Sequence, residues 1–553
     1  MKLIVPPLAL LLLSILACGQ PAQASPTSLP PHPSSLPSSP PGADAPFTIA
    51  VEYGILGVAQ TYAATGITFA KLQNAYAIWG NIEPQAGKYQ WGPLDAVVLE
   101  YQQAGFTGLQ MDLSTLSPWA SSRQPTLGNP GDSFPKAEYL DDYVKYVTSV
   151  VERYDGDGVE DMPGLLTPIH DYGIEREFTG FWPGSAESYL RLLRLAYPAV
   201  KAADPKGNVL LVALLMTDIF DGYPTAEEIN RRLAKTPTYM RKSVPEIQAI
   251  LAACDSYDTV DFHALGNYTE IPLTAQWIRA QLLQNGCGEK PIWIGDAFPM
   301  SALIGYGGFV PPVPFAPATV ETRDEVVTTL TSIADPASPD HTGAQAWLNG
   351  EMASGLVRKV AVSAAEGISG INLGNLEDWK TGIAGADKIS VPALGASMFM
   401  GMTDTTVTTL KPGGDLPFNG QEWARARRAG SARPVYYALK LVNGKLGGFS
   451  SVSKLSSADL PGQVLDHDLW AYRFETQAGP VWVFWYDDGK LYLPGEKSPS
   501  VTIKLSFSAA SARLTHTPTL ANENEPRMEV LDASSGSLSF EVGATPIFIQ
   551  AIP

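Results

Sequence analysis

The sequence predicts an α/β fold, a (β/α)₈ TIM barrel followed by a smaller all-β sandwich, on three observations. From Phe47 to about residue 380, short apolar runs of strand type alternate with amphipathic stretches of helical period, the pattern of parallel strands joined by helical crossovers. Beyond about residue 430 the texture changes to short strand signals separated by turns, as in a small sandwich. The 553 residues also exceed what one hydrophobic core sustains, so two or more domains are expected.

Taken in order, the N-terminus lies outside the fold. Met1-Lys2 precedes an apolar run from Leu8 to Leu16, which leads into Ala17-Cys18-Gly19. An apolar run of this length before a small residue reads as a secretory signal and is too short to span a bilayer as a mature helix. The Cys directly after Ala17 resembles the lipobox of bacterial lipoproteins. That resemblance implies a signal peptide of residues 1–18, acylation at Cys18 and a protein held by lipid at the bacterial cell envelope, outside the cytoplasm. An ordinary signal with an incidental Cys is the alternative. Residues 19–46 are dominated by Pro, Ser and Ala. Such a segment buries too little apolar surface to order itself, and its prolines favour an extended tether.

The barrel is expected over residues 47–430. Its eight strands read as 48–53, 69–77, 108–113, 169–174, 209–215, 261–266, 291–296 and 370–376. The amphipathic stretches between them are 94–103, 140–153, 185–203, 243–253, 273–285 and 343–365. Eight strands over this length suit a closed barrel. An open doubly wound sheet carries a Gly-rich nucleotide loop after its first strand, and Glu52-Tyr-Gly-Ile-Leu-Gly-Val58 does not match one. The sandwich is expected over 431–553: a helix at 434–446, then strands at 469–475, 481–486, 501–506, 528–531 and 538–550. Asp487-Asp-Gly489 is a good hairpin turn.

Composition narrows the function classes. With 38 basic against 56 acidic residues the net charge is −18, and no basic stripe offsets it, so a nucleic-acid partner is excluded. No phosphate loop or Gly-x-Ser-x-Gly elbow is present. No His/Cys/Asp cluster has metal-ligand spacing, so neither metal nor cofactor is expected. Cys254 and Cys287 each sit where a helical pattern ends before a new strand. In an oxidising compartment they pair as a disulfide; two free buried thiols are the alternative.

The chemistry lies at strand ends. The fourth strand runs into Tyr172-Gly-Ile-Glu-Arg-Glu177 and the seventh ends Pro291-Ile-Trp-Ile-Gly-Asp296. In parallel barrels active-site groups stand at the C-terminal strand ends. Two acids across one pocket are the equipment for cutting glycosidic bonds: one protonated for the leaving oxygen, one ionised for the anomeric carbon or a water. Near them in the predicted order come Asp112, His263, Asn267, Tyr268, Glu377, Asp378 and Trp379. Trp119 and Trp379 are candidate sugar platforms, with packing at the rim as the alternative, and Glu175 reads as structural.

At these residues the chain resembles the (β/α)₈ glycoside hydrolases of clan A that carry a C-terminal β-sandwich. The likeness rests on Trp79-Gly-Asn-Ile-Glu-Pro84 with Gly87-Lys-Tyr89, Trp91 and Leu94-Asp95, on Phe181-Trp-Pro-Gly-Ser185, and on Gly370-Ile-Asn-Leu-Gly-Asn-Leu-Glu-Asp378. It implies hydrolysis of O-glycosidic bonds in an oligo- or polysaccharide, with Glu177 as acid/base and Asp296 as nucleophile. By the same resemblance Arg176 takes the place of a sugar-contacting Asn and His263 lines the pocket, a satisfied core histidine being the alternative; Asn267, Tyr268, Trp119, Asp378 and Trp379 are candidate sugar contacts by their place near the strand ends, with Tyr268 either near the nucleophile or covering the rim.

Two positions depart from the family pattern. Arg176 stands where Asn usually precedes the acid/base; a contact between its charge and Glu177 would favour the ionised form, the opposite of what a general acid needs. Asp296 stands where Glu is usual, on a stem shorter by about 1.5 Å. Retaining enzymes hold their acids ~5–5.5 Å apart and inverting ones ~6.5–9.5 Å, so retention, inversion and loss of catalysis all remain open. A carbohydrate-binding surface lipoprotein that keeps the cleft without turnover is the alternative function.

Overall fold

The computed structural model describes residues 47–122, 134–234, 242–299, 323–374, 376, 401–407, 427–456, 458–460 and 468–552. Eight parallel strands close a barrel in sequence order: β1 (Thr48–Gly54), β2 (Phe69–Leu72), β3 (Gly108–Leu113), β4 (Asp171–Ile174), β5 (Asn208–Leu215), β6 (Thr259–Ala264), β7 (Ile292–Ala297) and β8 (Gly370–Leu373). Closure is made by β8 on β1, where Thr48 to Val51 face Gly370 to Leu373 in register. β5 reads Val-Leu-Leu-Val-Ala-Leu-Leu because both its faces are buried. The expected second strand stops five residues early, at Leu72. The Gln73 side chain accepts from Ala75 N and diverts the chain into a 3₁₀ turn, Asn74–Ala77.

The outer ring includes α1 (Gly92–Gln103), α2 (Leu140–Tyr154), α3 (Ala186–Ala203), α4 (Val244–Leu251), α5 (Glu270–Gln284) and α6 (His341–Ala365). Local chemistry starts several of them. Ser185 caps α3 by accepting from Ser188 N, and Ser243 with Glu246 forms a capping box on α4. α3 buries Tyr189, Leu192, Leu193, Ala196, Ala199 and Val200, one stripe at helical spacing facing the strands. The barrel floor is aromatic: Trp293 meets Phe69 at 5.3 Å. Gly370 is required opposite, since a Cβ there would lie 2.3 Å from the Trp293 ring.

After β9 (Thr403–Val407) and β10 (Arg427–Ala432), which pair with each other, α7 (Pro434–Leu446) rests on the barrel. Its Tyr436 hydroxyl donates to Thr61 O at 2.7 Å and Asn443 to Thr65 O at 3.3 Å. Then come β11 (Ser451–Lys454), β12 (Leu469–Thr476), β13 (Gly479–Tyr486), β14 (Val501–Ser506), β15 (Ser511–His516), β16 (Met528–Asp532), β17 (Ser537–Val542) and β18 (Ile547–Ala551). They form a six-stranded sheet, ordered β11-β12-β13-β18-β15-β16, and a two-stranded sheet of β14 and β17. Sequence analysis missed β11 and β15 and read β17 and β18 as one strand. Between them lies Gly-Ala-Thr-Pro546, where Pro lacks the N–H a ladder needs.

Strand β13 shows how the two domains join. Val481, Val483 and Trp485 face the barrel helices and share their core. Trp482 and Phe484 face the small sheet instead. The run is apolar throughout because alternate residues serve different cores.

Candidate active site

The fourth strand delivers its acid through a bend. Glu175 adopts φ +70°, and its fully buried carboxylate accepts from Thr115 N at 2.8 Å and Ser114 Oγ at 3.3 Å. A non-Gly residue in the left-handed region is uncommon; here its side chain ties the bend to the end of β3. Glu175 is thus structural, and the turn leaves Glu177 at the barrel mouth with 13% of its side chain exposed. Phe181 N and Trp182 N close the following turn on Glu177 O. Gly180 leaves room for the acid, since a Cβ there would lie 2.4 Å from Glu177 Oε2.

Glu177 Oε1 lies 2.6 Å from Nδ1 of His263 on β6. His263 stands in register with Asp296 on β7, so the histidine lies between the two acids in strand order. Asp296 is 2% exposed. Its Oδ2 accepts from the Tyr53 hydroxyl at 3.1 Å, while its Oδ1 is buried without a hydrogen-bond partner. Tyr53, at the end of β1, has φ +59°. Below the acids the barrel interior is charged: Lys71 Nζ lies 3.2 Å from Glu52 Oε1 and 3.1 Å from Asp112 Oδ2 and donates to Gly295 O at 3.3 Å. Asp261 accepts from Gly295 N at 2.7 Å.

These partners set the proton affinities in opposite directions. Burial alone would raise the Glu177 carboxyl, but the hydrogen bond and charge of His263, with smaller contributions from Lys71 and Arg176, hold it below the usual range. Burial raises Asp296; His263 and Lys71 oppose this, and the charge of Glu177 adds to it. Burial would depress His263, but Glu177 first, then Asp296 and Asp261, hold it above its ordinary value. Asp261 is pushed up to about 7, chiefly by burial.

The other predicted residues are spread more widely. Arg176 lays its guanidinium over Phe181, 4.9 Å from the ring centroid, and acts on Glu177 through its charge. Trp119 packs edge-on to Trp79 and Tyr139, both at 5.1 Å, and donates to Glu83 O at 2.8 Å. The Trp-Gly-Asn-Ile-Glu-Pro phrase is a staple: Glu83 takes the Trp79 indole N–H at 2.7 Å and Gly87 N at 2.5 Å.

Tyr268 is the main correction. It was expected near the nucleophile, yet its buried hydroxyl donates to Asp487 Oδ2 at 2.5 Å and accepts from Trp485 Nε1 at 3.1 Å. The turn after β6 carries it outward to the sandwich, and Tyr53 touches Asp296 in its stead. Asn267 Oδ1 accepts from Tyr268 N at 2.7 Å, and its own N–H donates to Asp221. Asn267 and Tyr268 line a cleft of about 330 Å³ between α6 and the sandwich. Cys18, Glu377, Asp378 and Trp379 lie outside the described residues.

Cys254 and Cys287 form a disulfide, Cα–Cα 5.7 Å, bracketing α5 and β6. One acidic cluster was not foreseen: carboxylate oxygens of Asp155, Asp157 and Asp161 come within 4.8 Å of one another. Backbone N–H groups of Gly156, Asp157, Gly158 and Val159 already donate to them. Among the described residues no helix is long and apolar enough to cross a membrane.

No family model matches the chain, and no curated protein matches it in sequence. Solved structures do match. A family 39 glycoside hydrolase from the gut symbiont Bacteroides cellulosilyticus WH2 superposes over 93% of this chain and 82% of its own, with TM-score 0.53 and 13% identity. The two chains share one fold, an eight-stranded parallel barrel with added antiparallel sheets. A monomeric β-xylosidase from Caulobacter crescentus CB15 superposes over 93% of this chain and 97% of its own, with TM-score 0.51 and 12% identity. The GH39 enzyme from Xanthomonas axonopodis pv. citri covers 93% and 95% respectively, with TM-score 0.50 and 11% identity. In this barrel Glu177 stands after the fourth strand and Asp296 on the seventh.

Proposed function

We propose that this chain is a glycoside hydrolase that cleaves O-glycosidic bonds of an oligo- or polysaccharide with the carboxyl pair Glu177 and Asp296, with retention of configuration. One observation carries the reading: two carboxylates from β4 and β7 stand at the C-terminal mouth of a closed barrel, with opposite proton affinities and His263 bonded to one and beside the other. A glycosidase needs such a split pair, one acid protonated and one ionised. Lipidation at Cys18 and display at the cell envelope belong to the same proposal, supported by the Ala17-Cys18 junction and the Pro/Ser tether.

A second reading is a carbohydrate-capturing surface lipoprotein without turnover. It is favoured by the 2.6 Å hold of His263 on Glu177, which opposes protonation at the family's acid/base position. Incubating the purified protein with a panel of aryl glycosides and polysaccharides separates the two, with calorimetry on the same sugars. Turnover lost in both Glu177→Gln and Asp296→Asn supports the hydrolase. Sugar binding without turnover in any form supports capture and refutes hydrolysis.

A further inference from the structure

One face of α6 is unlike the rest of that helix. Gly343, Trp347, Glu351, Gly355 and Arg358 recur every three or four residues, on one side of the helix, and line the cleft of about 330 Å³ beside the sandwich. The residues between them, such as Leu348, Met352, Leu356 and Val357, belong to the apolar core. A helix face closed against a second domain is ordinarily apolar; this one carries two glycines and two charges. At Gly343 a Cβ would meet no atom within 4 Å, so the space is open rather than packed.

The opposite wall follows β13, and its aromatic rings are held by their polar edges. The Trp347 indole N–H donates to Tyr492 O at 2.7 Å, and the Tyr492 hydroxyl donates to Asp488 Oδ2 at 2.8 Å. Both rings remain part-exposed at the cleft. Asp487 is likewise committed, accepting from the Tyr268 and Tyr223 hydroxyls and from Gly489 N.

Two polar groups have capacity to spare. Glu351 makes no hydrogen bond or ion pair with any described residue. Arg358, 8% exposed, donates from Nη2 to Ala544 O and lays its guanidinium 5.6 Å from the Tyr268 ring centroid, while its Nε is buried without a partner. A guanidinium offers five donors and a carboxylate only acceptors. The cleft is also mixed in charge: Arg358, Lys359 and Lys490 stand among Glu351, Asp487, Asp488 and Glu496. A ligand of either sign would lie beside groups of its own charge. Hydroxyl groups, which both donate and accept, meet no such penalty.

We propose that this cleft is a second saccharide-binding site, apart from the barrel mouth, for an uncharged sugar or short oligosaccharide. Trp347 and Tyr492 take its apolar C–H face, and Arg358 and Glu351 take its hydroxyls. Glu177, His263, Asp296 and Tyr53 are not among the residues that line it. The volume falls at the lower end of the ~300–1,000 Å³ of small-ligand sites, which combine aromatic walls with a few polar groups. The proposal rests on the chemistry of the cleft and not on hydrolysis at the barrel mouth.

Calorimetric titration of the full-length protein with xylobiose, cellobiose and galactobiose, and with glucuronic acid as an anionic probe, tests it. Glu177→Gln is the background, so that hydrolysis adds no heat. At least one neutral disaccharide is expected to bind. Gly343→Trp, which places a ring in the open space, should lower the stoichiometry by one site with the thermal midpoint unchanged. Glu351→Gln should weaken the same event by about tenfold. In the otherwise wild-type chain, Gly343→Trp should leave aryl glycoside turnover unchanged, so loss of this site and loss of hydrolysis are separate results. Absence of binding by any neutral disaccharide overturns the proposal. So does neutral-sugar binding that neither variant alters, or a cleft event seen only with glucuronic acid.

Discussion

Replacing His263 with Asn removes the cation that holds Glu177 without enlarging the side chain. In the wild type the pair meets at 2.6 Å, with the His side chain 5% and the Glu side chain 13% exposed. Hydrogen bonds to charged groups in such settings contribute about 1.5–3 kcal/mol, so His263→Asn is expected to cost about 2 kcal/mol. The pH dependence follows from the directions of the two shifts. His263 is raised above its ordinary 6.5, so its contribution is full below about 6.5 and is lost as pH rises through the raised value. Glu177 is lowered below its ordinary 4.5, so its contribution is full above about 4.5 and is lost as pH falls through the lowered value. The stability gap between wild type and variant is therefore widest between about pH 4.5 and 6.5 and closes on the alkaline side. Urea unfolding of both proteins across that range measures it. A gap that is independent of pH, or below about 0.5 kcal/mol throughout, would refute the ion pair.

Three further outcomes are expected. Lys71→Met leaves Glu52 and Asp112 buried without their cation and should cost about 3–5 kcal/mol; the triple variant with Glu52→Gln and Asp112→Asn should recover most of it, which denaturant melts will read. Serine at both Cys254 and Cys287 opens a loop with a sequence separation of 33, a loss of about 3–4 kcal/mol on the loop-entropy scale, visible as a lower thermal midpoint and as sensitivity of the wild type to reductant. Tyr268→Phe removes a donor to Asp487 and an acceptor for Trp485. It should loosen the seam between barrel and sandwich, detected as faster amide exchange in β13, with little change in sugar turnover.

The barrel was legible because its strands are buried on both faces and read as unbroken apolar runs, β5 above all. The two acids were legible because Asp296 lies at the end of β7 and Glu177 three residues past the end of β4. What failed was placement by side chain. Tyr53 sits inside the first strand's own pattern, and only its φ of +59° turns the hydroxyl's role toward Asp296. Tyr268 looked like a pocket residue by its nearness to His263 in sequence, but Trp485 and Asp487, more than 200 residues away, claim its hydroxyl. The polar layer of Glu52, Lys71 and Asp112 was hidden for the same reason. Each lies in an apolar strand, and only the side-by-side pairing of β1, β2 and β3 brings them within ion-pair distance.

The central claim, that Glu177 and Asp296 together break glycosidic bonds, is tested most directly by kcat. On whichever aryl glycoside the wild type turns over, Glu177→Gln and Asp296→Asn should each lower kcat by at least about 100-fold, with circular dichroism unchanged. Retention of wild-type kcat in either variant would contradict it.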